Sequence, residues 1–421
     1  MSLNQACRLL HVVAQPFLYH SFQITAESDL PFFLRTLLDR PDLASKVFEV
    51  GLYQHDRILL MITRRALRLM GVHITASIDA LPLLHARRLQ DIHSHHTTPR
   101  LEHMRDGMEL VEVLLHLAPN VQSCHVRLPS EEYVGDAALT SSSTYSFASL
   151  KRLAFSSFNG NFILDHAPSV LQRAPNLDSL HCHRCSDVSK LFSVTLGQRT
   201  LAGSPPLQNL TGLNLTSTLM TATSLRNLLK TIGPKLSKVS IQAIETDIPE
   251  LNPGGNTVKF GETVLALQRW KDKLKVLRFT NDKMDLAPPE TSYLGGIYAL
   301  HYFQALETIE APARSFDFYG QLGDQQDALA LTLPASVREL RLPGFPEKVQ
   351  LAPSLRGLAR ALRAGQFGRL RQIGIDSKHF EVGESEQDAE AVAELKEVVA
   401  LFRSLGVELS PILSDLHFEV Y

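Results

Sequence analysis

The run His181-Cys182-His183-Arg184-Cys185 places two imidazoles and two thiols within five residues, the side chains that bind zinc. Such donors make an ion site only if they converge. In an extended segment successive side chains point to opposite faces, so His181 and His183 share one face and Cys182 takes the other. The expectation is a buried thiol flanked by two surface histidines, with no metal. A second cluster, His93, His95 and His96 with His103 nearby, follows a helical stretch and precedes Pro99, and reads as a solvated loop. The nucleophile elbow, phosphate-binding loop, H-E-x-x-H, dinucleotide and calcium-loop patterns are missing from the sequence. The chain is expected to be a binding protein rather than an enzyme, with no catalytic, cofactor or metal residues.

What positions these side chains is a repeat. The pattern apolar-x-x-apolar-x-apolar starts at Leu150, Leu177, Leu210, Leu236, Leu274, Leu306, Val337 and Leu370, at intervals of 26 to 38 residues. Weaker copies start at Val47 and Val121, and "VEL" at 407–409 closes the series. The second and third apolar positions of a copy are two residues apart and so share one face of a strand. Stretches with helical spacing separate the copies, at 224–233, 261–273 and 389–406, and Gly233 and Gly406 fall where a helix C-cap favours glycine. A strand–helix unit of about thirty residues cannot bury its own apolar faces, so the units stack. The fold expected is an α/β leucine-rich-repeat solenoid, with a curved parallel sheet inside and helices outside. A doubly wound sheet would need strands apolar on both faces; here Arg152, Lys238, Arg278 and Arg341 interrupt them.

That register turns Arg127, Arg152, His181, His183, Asn214, Lys238, Gln242, Arg278, Glu310, Arg341 and Asp376 onto the inner sheet surface, where they form the expected partner-binding site. Most are basic or polar, which suits a partner with an acidic or hydrogen-bonding surface. Elsewhere the side chains read as structure. Arg64, Arg65 and Arg68, and Arg87 with Arg88, read as solvated helix faces, the acidic run Glu381–Glu394 as a helix start, and Trp270 as core. Polar loops are expected at 128–147, 245–256 and 314–327, and an irregular helix-rich repeat at 53–117.

The chain has 421 residues, with 42 Lys+Arg against 44 Asp+Glu and a net charge of −2. That balance argues against nucleic acid and against a membrane surface as partners. Leucine supplies 69 of the residues, and charged residues make up 20%, a core-forming composition. Four cysteines are too few to staple so long a chain, which points to a reducing compartment, cytoplasm or nucleus.

The N-terminal "ACRLLHVVAQPFLYHSF" (Cys7, Arg8, Leu10, Val13, Ala14, Pro16, Leu18, Tyr19, Phe22) resembles the last helix and exit segment of an F-box, as in fungal F-box proteins with leucine-rich repeats. The stretch 30–52 resembles that family's junction with the first repeat. The resemblance implies a substrate-recognition subunit of an SCF-type (cullin-RING) ubiquitin ligase, with a target protein on the concave face. It also implies a Skp-type adaptor and cullin as partners if a full F-box lies upstream. Residues 1–24 are expected to be an F-box remnant that caps the first repeat, 25–410 the solenoid and 411–421 a tail. The chain is expected to be a monomer that binds the adaptor weakly or not at all in this form. The alternative is a stand-alone scaffold using the same solenoid.

Overall fold

The structure, a computed structural model, describes residues 14, 18–24, 29–52, 111–112, 114–128, 146–157, 162–164, 167–188, 207–244, 257–281, 297–316, 327–344, 348–380 and 386–412. The histidines at 93–103, the arginines at 64–88 and most of the segments expected as loops or as an irregular repeat lie outside them.

The chain is α/β, and all fourteen strands among the described residues pair in parallel. Its residues divide into two compact units, Met1–Leu210 with Lys230–Gly233, and Thr211–Leu229 with Pro234–Tyr421. In the first unit β1 (Ser21–Ile24), β2 (Glu49–Leu52), β3 (Ser123–Leu128), β4 (Arg152–Ser157) and β6 (Ser179–His183) pair in that order. A short pair, β5 (Phe162–Ile163) with β7 (Cys185–Asp187), forms its own small sheet. In the second unit β8 (Gly212–Thr218), β9 (Lys238–Ala243), β10 (Val276–Asn281), β11 (Thr308–Glu310), β12 (Glu339–Leu342), β13 (Gln372–Asp376) and β14 (Glu408–Ile412) pair in chain order.

Each copy of the repeat builds one strand, beginning two residues later than its first apolar position. The reason lies in the turn that leads into the strand. Leu150, Leu177, Leu236 and Leu274 are buried there. Behind Leu150, the N–H groups of Lys151 and Arg152 both donate to the carbonyl of Gln122, at 2.9 and 2.8 Å. The same double bond recurs from Asp178 and Ser179 to Lys151, from Ser237 and Lys238 to Thr211, and from Lys275 and Val276 to Ser237. A polar side chain just ahead of the first apolar position often adds a further bond to the previous copy. Asn120, Asn176 and Asn209 donate from Nδ2 to the carbonyls of Ser45, Ala148 and Pro175, each at 2.8 Å. Ser336 donates to the carbonyls of Phe303 and Leu306.

Helices return the chain between strands. In the second unit α1 (Ala328–Thr332), α2 (Lys348–Arg363) and α3 (Glu386–Ser404) pack in succession, and Arg356 of α2 pairs with Glu394 and Glu397 of α3. The acidic run does begin a helix, at Glu386. The C-terminal glycines of α2 and α3 close both helices alike. Gly365 and Gly406 take φ of 82° and 74°, and the next residue donates back to Ala361 and Phe402 respectively.

Gly233 differs from expectation. It lies outside the left-handed region, and a Cβ there would stand 2.5 Å from the Cα of Gln208. Close backbone approach, rather than a helix cap, requires glycine at this position. At the N-terminal end of the described residues, Ser21–Ile24 is a strand beside β2, and Phe22 stacks on Phe33 with ring centroids 3.7 Å apart. Trp270 is core, 1% exposed, with the Arg269 guanidinium over its ring. No helix among the described residues is long and apolar enough to cross a membrane.

Candidate functional site

The strands alternate strictly enough to give each unit one apolar and one polar face. On the apolar face lie Leu153, Phe155, Leu180, Cys182, Leu213, Val239, Leu277 and Leu340, all buried. All eleven residues expected on the opposite surface lie on the polar face. Their neighbours follow from strand register.

In the first unit three rows cross the polar face. Ser21, Glu49, Ser123, Arg152 and Ser179 form one, in which Arg152 Nη2 meets Glu49 Oε1 at 3.0 Å. Gln23, Gly51, His125, Ala154 and His181 form the second; Arg127, Ser156 and His183 form the third. His125 is a site residue that the sequence pattern missed. Its Nε2 is 2.9 Å from Ser156 Oγ on the neighbouring strand. Burial, reinforced by His181, Arg127 and His183, pushes the His125 imidazole down to about 4. Burial and His183 push His181 down to about 4, and His183 is lowered by burial and by Arg184 and Arg127.

A hydroxyl beside an imidazole can act as nucleophile and base. Among the described residues, the charged neighbours that shift His125 all disfavour its protonated form. A ring held neutral in this way is a weak base at neutral pH.

Cys182 is fully buried on the apolar face, and burial pushes its thiol well above the usual range. The two histidines beside it point the other way, and no group of three or more metal-binding side chains occurs among the described residues.

In the second unit the central row reads Asn214, Ser240, Arg278, Glu310, Arg341, Gly374 and Ser410. Glu310 is 8% exposed, with Arg278 Nε at 3.6 Å and Arg341 Nη1 at 3.9 Å from its carboxylate. Burial raises the Glu310 carboxyl, and the two arginines pull it back. Arg341 Nε also donates to Glu339 at 2.6 Å, and next to it in the row a Cβ at Gly374 would meet the Ile412 side chain at 2.7 Å. Lys238 is exposed away from this ladder, while Asp376 accepts a 3.4 Å bond from the Gly344 N–H. The structure thus joins Arg278, Glu310 and Arg341, and separately gathers Arg127, His181 and His183 around His125. Compared with known protein families and with curated proteins, the chain matches none.

Proposed function

We propose that the chain is a protein-interaction module, a leucine-rich-repeat solenoid that holds a target protein against the polar face of its sheet strands. The observation that carries this reading is the repetition itself. Copy after copy spends its apolar side chains on the core and presents Arg, His, Lys, Glu and Asn on the other face. Side chains displayed in a row at strand spacing suit a long, polar partner surface.

Coupling to ubiquitin transfer, as the substrate receptor of an SCF-type ligase, rests on the resemblance of residues 7–22 to an F-box exit. The alternative, a stand-alone scaffold, is favoured by β1: the end of that stretch pairs with β2 and stacks Phe22 on Phe33, so it serves the first repeat.

The test is affinity purification of the full chain and of an Arg152→Glu/Lys238→Glu/Arg278→Glu variant, with quantitative mass spectrometry. A protein set lost from the variant supports the docking face. A Skp-type adaptor and cullin retained in both supports the ligase receptor, and their absence from both favours the scaffold. Identical partner sets in the two samples, adaptor aside, would refute the docking face.

A further inference from the structure

We infer that the strand-entry edge of the second unit, where Lys275, Arg338 and Arg371 lead into β10, β12 and β13, is a docking edge for an acidic peptide segment of a protein partner. It is a different surface from the polar face above and does not rest on that reading.

The edge follows from the way each strand begins. In each copy the residue after the first apolar position donates its N–H to the corresponding residue of the copy before. Glu307 donates to the Lys275 carbonyl at 2.8 Å, Arg338 to Glu307 at 2.7 Å and Arg371 to Arg338 at 2.8 Å. Lys275, Glu307, Arg338 and Arg371 therefore stand one strand apart, at about 4.8 Å per step, in a row about 14 Å long. The three cations of the row are exposed. Two residues back, just ahead of the buried Leu274 and Leu370, Lys273 and Arg369 add two more exposed cations. The turns that lead into β10, β11, β12 and β13 all lie within the described residues.

The acids of these turns leave the edge basic. Glu307 lies 3.9 Å from Arg338 Nη1, beyond hydrogen-bond distance. Asp272 is exposed with a lysine on either side of it, and Glu408, also exposed, enters β14 beside Arg371. Glu339, the residue after Arg338, is turned to Arg341 Nε at 2.6 Å.

A row of cations interrupted by one acid suits a peptide better than a nucleic acid. A phosphate backbone carries a charge about every 3.4 Å along a strand and would meet Glu307 with repulsion. A peptide can set an uncharged residue there and carboxylates opposite Lys275, Arg338 and Arg371. The neighbouring guanidinium forks of Arg338 and Arg371 match carboxylate geometry.

The probe is a fluorescently labelled hexaglutamate peptide titrated into the full chain. The Lys275→Glu/Arg338→Glu/Arg371→Glu variant is expected to bind it at least about tenfold more weakly than the parent. The polar-face variant Arg152→Glu/Lys238→Glu/Arg278→Glu should change affinity by less than about threefold at physiological salt, where charges beyond about 8 Å are screened. Thermal melts check that both variants fold; if the charge reversals unfold the chain, Lys275→Gln/Arg338→Gln/Arg371→Gln takes their place, with the same direction expected. No saturable binding, affinity unmoved by the edge variant, or equal loss in the two variants would overturn the inference. So would preference at these residues for a phosphorylated peptide or single-stranded RNA over hexaglutamate. If the peptide fails while Arg152→Glu/Lys238→Glu/Arg278→Glu still releases a partner, this edge falls and the docking face stands.

Discussion

Glu112 and Arg173 form an ion pair inside the first unit, with side chains 3% and 9% exposed. The Arg173 guanidinium also lies over the Phe147 ring, 4.9 Å from its centroid, and the Arg173 carbonyl accepts the Phe147 N–H. Removing one partner of a buried pair strands the other charge, which costs about 3–5 kcal/mol. Arg173→Met should therefore lower stability by that amount in chemical denaturation. Adding Glu112→Leu should recover most of it. A double variant as unstable as the single one would show that the ion pair is not what the site supplies.

Leu213 and Asn214 test the register of β8. Leu213 is 2% exposed, and an aspartate there would bury an unpaired charge, at a cost of about 4 kcal/mol or more. Asn214 faces the polar side, and its Oδ1 makes no hydrogen bond. Asn214→Ala should change stability by less than about 1 kcal/mol. Similar melting temperatures for Leu213→Asp and Asn214→Ala would contradict the assignment of faces.

The histidines give a pH dependence with a fixed sign. In the folded chain His125 and His181 are pushed down to about 4, whereas unfolded histidine titrates near about 6.5. Between those values the unfolded chain binds protons that the folded chain refuses. Their stabilisation is thus complete above about pH 6.5 and is lost as the pH falls toward about 4. Each ring contributes on the order of 2 kcal/mol at neutral pH. Unfolding free energies measured at several pH values should fall less steeply for His125→Gln/His181→Gln than for the parent chain. Parallel curves would mean that the two rings titrate normally in the fold.

Gly233 and Gly368 form a matched pair of alanine substitutions. At Gly233 a Cβ meets the backbone of Gln208 at 2.5 Å, while at Gly368 nothing lies within 4 Å. Gly233→Ala should destabilise by about 2 kcal/mol through forced backbone movement. Gly368→Ala should stay within about 1 kcal/mol of the parent. Thermal melts of the two single variants decide it; equal shifts would remove the steric argument.

The repeat was readable because its signal is local. Leu153 and Phe155, or Leu277 and Phe279, announce a strand face from a spacing of two, and the polar residues between them follow. The pattern begins two residues ahead of each strand because Leu150 and its counterparts look like strand residues but pack in the preceding turn. His181 and His183 were recognisable as surface histidines. Their neighbour His125 was not, since it belongs to the weaker copy at Val121 and meets Ser156 only through cross-strand register. Glu112 and Arg173 left no local trace at all, because an ion pair between residues so far apart in sequence has no periodicity. Gly233 was misread for the related reason that a close approach by Gln208 is a tertiary event.

Pro411, in β14, looks like a defect, since proline removes a donor from a sheet. Its placement is specific. The Glu408 N–H points to β13, where it donates to the Arg371 carbonyl at 2.8 Å. N–H directions alternate along a strand, so residue 411 is one whose donor would point away from β13. The missing hydrogen costs the sheet no bond, and it denies one to any strand approaching from outside. Edges of parallel sheets are templates for aggregation, and a proline on the outward side disables one rung of that template. Pro411→Val should therefore leave folding intact and make concentrated samples more prone to associate through this edge.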